Sequence, residues 1–347
     1  MPELFGTMPD GQRVHRFILE NEEIRVAVLE IGAAVQSIET RDTVGTPANV
    51  VLGMQTLEDY RVRSPHFGAV PGRTAGRIAG GRFTLDGVEH QLDRNSNGNT
   101  LHGGANGFGR RAWTALDHGP THVTLHLVSP DGDAGYPGEV EVTLRYSLHG
   151  SALYLDFTGT TTRPTILNLT NHSYFNLAGE GSGSIADHEL MIAADRFLPI
   201  DAGSIPTGEQ RDVTGTPFDF RTPHRIGERI HQADPQLLVA LGYDQTYMLQ
   251  GSGLRTAAVL RDPRSGRRLV LSTTEPALQL YTGNNLTGSL SGPSGRTYRQ
   301  TDAVCLEAQH PPDGPNHPNL PQSVLHPGET YGARTIFRFD TAPSLTE

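Results

Sequence analysis

Between Val123 and Phe157, apolar and polar residues alternate through three successive runs. These are Val123, Leu125 and Leu127, then Val140, Val142, Leu144, Tyr146 and Leu148, and finally Leu153, Leu155 and Phe157. Successive side chains of an extended chain point to opposite faces, so each run has one greasy and one polar face. Asp131-Gly132, Tyr136-Pro137-Gly138 and His149-Gly150 separate the runs with turn-forming residues. The stretch therefore predicts an antiparallel meander with one buried face. The same punctuation runs through the whole chain, because 40 Gly, 24 Pro and 36% hydrophobic content among 347 residues favour many short strands over long helices. Phe83 and Leu85, Asp86-Gly87, and Val88 and Leu92 predict a β-hairpin with a tight type I′ turn. A weaker early strand runs from Ile24 to Leu29, and a closing strand from Thr335 to Phe339. Helix is expected only in short pieces, a turn within Gly53 to Arg61 and one helix from Arg225 to His231. No repeat, low-complexity tract or composition shift marks a linker, so residues 1–347 are expected to form a single domain.

Charge and composition remove several kinds of function. A net charge of -10 argues against a nucleic-acid partner. All 28 basic residues are arginine, which excludes Schiff-base, pyridoxal-phosphate and P-loop lysines. Cys305 is the only cysteine, so no intrachain disulfide framework exists. The first twenty residues carry charges with no continuous apolar core, and no run reaches the length of a membrane span. A cytosolic protein without a membrane partner is expected.

The run Ile166 to Leu177 differs from an ordinary strand. If extended, it presents Asn168, Thr170, His172, Tyr174 and Asn176 on one face and mostly Leu167, Leu169, Phe175 and Leu177 on the other. Amides, a phenol and an imidazole suit a hydroxyl-rich ligand, although the pattern alone fits a surface histidine equally well. The segment Val70 to Phe83 is rich in glycine and arginine, but it lacks both the Lys-Ser/Thr ending of a Walker loop and the dinucleotide fingerprint. His102 is followed by two glycines, which leave its ring accessible. Asp244 stands among aromatics at the entry to a strand, and Gln279 and Tyr281 share a strand face. Period two also puts Cys305, Glu307 and Gln309 together, opposite Val304, Leu306 and Ala308. Asp131 and Asp133 do not make an EF-hand, since Pro137 falls inside the loop and the twelfth-position glutamate is missing.

Asn171-His-Ser-Tyr-Phe-Asn-Leu177 resembles the central motif of the aldose 1-epimerase (galactose mutarotase) family. Gly72 to Ile78, Leu101-His-Gly-Gly104, Gly242-Tyr-Asp244, Gln279-Leu-Tyr-Thr-Gly-Asn284 and Leu306-Glu-Ala-Gln309 resemble further motifs of that family in the same order. The resemblance covers about Gly72 to Phe339. It implies an all-β fold, a large antiparallel β-sandwich of the mutarotase type with few short helices. It also implies interconversion of the α and β anomers of a free aldose without a cofactor, by a monomer or homodimer.

In that reading Glu307 is the general base and His172 the general acid. His102 orients substrate or stabilises charge at the ring oxygen. Arg77, Asp244, Gln279, Asn171 and Tyr174 bind the sugar. Gly76 departs from the family, standing where an asparagine is usual. Three rivals share the residues: a metal site, a glycosidase with Asp244 and Glu307 as paired carboxylates, and a non-catalytic sugar-binding protein. No close His-x-His or His-x-x-x-His pair exists among the named residues, so none is assigned to a metal. The assigned groups lie far apart in the chain, and only tertiary folding can bring them together.

Overall fold

In a computed structural model, which describes residues 2–345, the three alternating runs form strands His122–Ser129, Val140–His149 and Ala152–Thr161, paired antiparallel in that order. They belong to a nine-stranded sheet. Thr114–Gly119 forms one edge, and beyond Ala152–Thr161 come Tyr331–Thr341, Arg267–Thr273, Arg255–Arg261, Glu189–Ile192 and His224–Arg225. A six-stranded sheet runs in the order Tyr174–Phe175, Val304–Gln309, Ala277–Tyr281, Asp244–Met248, Arg196–Leu198, Arg211–Asp212. A five-stranded sheet takes the first strands of the chain in sequence order, from Glu3–Thr7 to Pro47–Asn49.

One apolar cluster joins these layers. It contains Phe17 and Leu19 from the first sheet, Leu125, Leu144, Leu155 and Phe337 from the second, and Leu278, Leu280, Leu306 and Ala308 from the third. Each Leu or Phe among them contributes about 1.5 to 3 kcal/mol on full burial. The six-stranded sheet therefore has one face, that of Leu278, Leu280, Leu306 and Ala308, sealed into the core of an all-β sandwich, as expected. Its other face is left to carry function.

The hairpin lies at Arg82–Leu85 and Val88–Gln91, with Asp86 and Gly87 at φ of 51° and 77° as the tight turn requires. The closing strand is longer than expected, Tyr331–Thr341. A helical turn occurs at Asp59–Arg63. The helix expected from Arg225 to His231 is only a short 3-10 turn, Ile226–Glu228. The α-helix instead spans Pro235–Ala240, where Asp234 caps the Gln236 amide and Pro235 opens the first turn.

The run around His172 is not one strand. Only Thr165–Ile166 and Tyr174–Phe175 pair in sheets, and the chain between them bonds to the glycine-rich loop instead. The Ala75 amide donates to the Asn168 carbonyl (2.8 Å), the His172 amide to the Ala69 carbonyl (2.8 Å), and the Gly68 amide to the His172 carbonyl (2.9 Å). Both faces of the run are buried, including Asn168, Thr170, Asn171 and Asn176. Arg73 anchors that loop: its buried guanidinium donates to the carbonyls of Ser129, Pro130 and Pro137 and to the Ser129 hydroxyl, at 2.7 to 2.9 Å.

Candidate active site

Strand register places the polar groups of the six-stranded sheet in rows. Thr246 lies opposite Gln279, and Gln279 opposite Glu307. The next row, two residues along each strand, is Asp244, Tyr281, Cys305 and Tyr174. Side chains in neighbouring rows of one face stand close enough to touch. The Gln279 amide donates to Asp244 Oδ1 at 2.7 Å, while its carbonyl accepts from the Thr246 hydroxyl. Gln279 is thereby held at both ends and in turn fixes Asp244. Arg77 Nη1 approaches Asp244 Oδ2 at 4.0 Å from the glycine-rich loop.

Loops bring the histidines over this face. Strands Arg77–Ile78 and Thr100–Leu101 pair, and at their junction Gly76 and His102 exchange bonds. The His102 amide donates to the Gly76 carbonyl at 3.0 Å, and the Gly76 amide donates to His102 Nδ1 at 3.2 Å. A ring nitrogen that accepts cannot carry the proton, so in neutral His102 the hydrogen sits on Nε2. The ring is therefore a fixed hydrogen-bond donor. His172 stacks on Tyr174 with centroids 4.9 Å apart and planes 7° from parallel. Its Nε2 lies 3.7 Å from Glu307 Oε1. Together these residues line a cavity of about 270 Å³.

Burial governs the charges. It drives His172 down to about 4 and His102 well below its ordinary value, where His66, His172, Arg77 and Arg110 add repulsion. It raises Glu307 well above the carboxylate range, with the neighbouring Asp244 pushing the same way. Asp244 is also raised by burial, against opposing pulls from Arg77 and the Gln279 amide. The imidazole and the carboxyl group lie 3.7 Å apart, and burial disfavours the charged form of each. The sequence reading took both at their unperturbed values, with Glu307 ionised and His172 ready to give up a proton. In the folded protein burial displaces both, His172 downward and Glu307 upward.

Arg77, His102, His172, Tyr174, Asp244, Gln279 and Glu307 all line the cavity. Asn171, expected to bind substrate, does not. Its amide donates to the Gly68 carbonyl at 2.8 Å and its carbonyl accepts from the Ser173 hydroxyl at 2.6 Å, so it braces the loop beneath His172. The Tyr174 hydroxyl is committed to the Pro65 carbonyl at 3.0 Å, leaving its ring as a platform for His172. Sequence reasoning missed His66, Arg110 and Gln309 as cavity residues. His66 packs edge-on to His102 at 4.7 Å, and burial pushes it down to about 3. Period two had put Gln309 on the face of Glu307, but nothing in the local pattern marks His66. Gly76 does not leave spare room in the cavity. A Cβ there would lie 2.6 Å from Pro312 Cγ.

The aldose 1-epimerase family model matches residues 15–338. The chain is 44% identical to galactose mutarotase of Bos taurus over 98% of both chains. It is 37% identical to aldose 1-epimerase of Escherichia coli over 95% of this chain and 96% of that one. Among solved structures, galactose 1-epimerase from Lactobacillus acidophilus superposes with a TM-score of 0.87 at 30% identity, covering 99% of this chain and 98% of that one. Fold, order of motifs and full-length similarity agree: this chain belongs to the aldose 1-epimerase family.

Proposed function

We propose that the protein interconverts the α and β anomers of a free aldose such as glucose or galactose, with Glu307 as general base and His172 as general acid. The observation that carries this reading is the buried Glu307–His172 pair at 3.7 Å, facing a cavity whose other polar groups are held in place by strand register. In the ring-closed state the carboxylate takes the proton of the C1 hydroxyl and the imidazolium gives one to the ring oxygen. The bond between C1 and the ring oxygen breaks, and the open-chain aldehyde forms. Rotation about C1–C2 presents the other face of the carbonyl. Closure then reverses both transfers, with the imidazole taking the proton from the hydroxyl and the carboxyl returning one to O1. No atom or charge is gained over the cycle, so a single shared proton is sufficient. Each positioned acid or base contributes about 10² to 10⁴ in rate.

Asp244, held by Gln279 and near Arg77, accepts from the outer hydroxyls, and the fixed Nε2–H of His102 donates toward the sugar oxygens. We read residues 1–347 as one catalytic unit. Among the described residues no helix is long and apolar enough to cross a membrane. With a single cysteine the chain has no intrachain disulfide framework, which suits a reducing compartment, and we place the reaction in the cytosol.

The test is polarimetry of freshly dissolved α-D-glucose and α-D-galactose with wild type, Glu307→Gln and His172→Asn. Acceleration by wild type that both variants lose is the expected result. Wild-type protein that leaves the spontaneous rate of both sugars unchanged, or variants as fast as wild type, would overturn it.

A further inference from the structure

Cys305 shares the sheet face of Glu307, one row away, yet the proposed chemistry makes no use of it. Its thiol is fully buried in a cluster with Tyr174 and Tyr281. A ring nitrogen of His172, this sulfur and a carboxylate oxygen of Glu307 all lie within 4.8 Å of one another. Two further features point to a ligand. The 3.7 Å between His172 Nε2 and Glu307 Oε1 is too long for a hydrogen bond. It is slightly longer than the spacing of a nitrogen and an oxygen ligand on one tetrahedral zinc ion, which bond lengths of about 2.0 to 2.2 Å set at about 3.3 to 3.5 Å. Glu307 is also nine-tenths buried and lines the cavity, and no described residue hydrogen-bonds its carboxylate.

The donor set is one imidazole nitrogen, one sulfur and one carboxylate oxygen. Sulfur and nitrogen select zinc-like ions over magnesium or calcium. Thiolate and carboxylate together cancel two positive charges, which a desolvated cavity demands. Cys305 is fully buried and does not itself line the cavity, so its sulfur must turn toward the two cavity-facing groups to complete the set.

We propose that His172, Cys305 and Glu307 form an inhibitory site for zinc-class divalent cations. The ion enters the sugar-free cavity and occupies both groups that face the aldose. The thiol and the carboxyl group lose their protons to solvent as the metal–sulfur and metal–oxygen bonds form, and no electron is transferred. The fourth position opens on the cavity, where water completes the tetrahedron. Sugar and metal therefore exclude one another.

Cobalt(II) titrated into metal-free protein tests the site independently of catalysis. A near-ultraviolet thiolate-to-cobalt band with tetrahedral visible bands is expected, displaced by zinc. Cys305→Ser abolishes the near-ultraviolet band, and Cys305→Ala serves as a second variant should serine disturb the buried position. In the polarimetric assay zinc inhibits competitively with the aldose, magnesium at the same concentration does not, and a chelator restores the rate. Cys305→Ser retains the basal rate and raises the half-inhibitory zinc concentration at least about tenfold, since even supporting groups of metal sites are worth roughly 10- to 100-fold. Absence of the thiolate band, or equal zinc sensitivity of wild type and both Cys305 variants, would overturn the proposal. Wild type without mutarotase activity would sink the reading of the previous section, while the cobalt spectrum would still decide this one.

Discussion

The pH dependence of mutarotation reads the Glu307–His172 pair directly, and its shape follows from two opposing terms. The fall of His172 from 6.5 to about 4 corresponds to about 3 kcal/mol against the imidazolium. A carboxylate and an imidazolium 3.7 Å apart attract by about 4 kcal/mol at an effective dielectric of 20. That attraction works against the burial that disfavours the charge on each group, and it is what allows the ion-paired form on which the proposed proton transfer rests. Below about pH 4 both groups are protonated and no base remains. Above the raised value of Glu307 both are deprotonated and no acid remains. Activity belongs to the one-proton form between these limits. The expected kcat/KM profile is a bell whose acid limb lies at about 4 and whose alkaline limb lies well above the ordinary carboxylate range. Polarimetry with α-D-glucose, with the spontaneous rate subtracted at each pH, measures it. Glu307→Gln should lower kcat/KM by about 10² to 10⁴ and change the shape of the profile, because one member of the pair no longer titrates. An acid limb near the free-histidine value of about 6.5 would refute the shared proton, as would a profile unchanged in Glu307→Gln.

Gly76→Ala should destabilise the protein by about 2 to 5 kcal/mol, from strain at φ of +71° and from overlap with Pro312, and should lower kcat/KM by disturbing His102; calorimetry and polarimetry on one sample check both. Arg73→Met should cost about 3 kcal/mol or more, because the carbonyls of Ser129, Pro130 and Pro137 lose their buried donor; denaturant unfolding measures it. His66 has a folded value of about 3 against about 6.5 unfolded, so the unfolded chain binds more protons between these limits. Its contribution to stability is fully present above pH 6.5 and is lost as pH falls toward 3, by up to about 1.4 kcal/mol per pH unit. Unfolding of His66→Asn should accordingly depend less on pH than wild type across that range.

Much of this architecture was legible because local chemistry decided it. The meander, the Asp86-Gly87 turn and the face shared by Gln279 with Tyr281 and by Glu307 with Gln309 follow from period two and turn preference. The helix lies at Pro235–Ala240 and not from Arg225, because Asp234 caps it and Pro235 opens its first turn, a start signal that the expectation from Arg225 left out. The stretch around His172 failed as a strand because its amides found partners in the loop of residues 68–75, a tertiary contact that no window of sequence contains. For the same reason Asn171 looked like a ligand and proved to be a brace. His66 reaches the cavity from a loop position at φ of 69°, which carries no periodic signal at all.

Strand Val304–Gln309 sits between Tyr174–Phe175 and Ala277–Tyr281, and Tyr331–Thr341 sits between Ala152–Thr161 and Arg267–Thr273. The middle of the nine-stranded sheet and the second place of the six-stranded one are thus filled by segments that leave the ribosome late. A nascent chain ending before Val304 holds the nine-stranded sheet as two unjoined halves and the six-stranded sheet with the edge of Ala277–Tyr281 bare, the state most prone to pairing with other chains. The seam closes only when long-range pairings are made across most of the polypeptide, which is slow. Synthesis therefore completes the catalytic face and the fold together, and a chain cut short at its C-terminal side loses both at once.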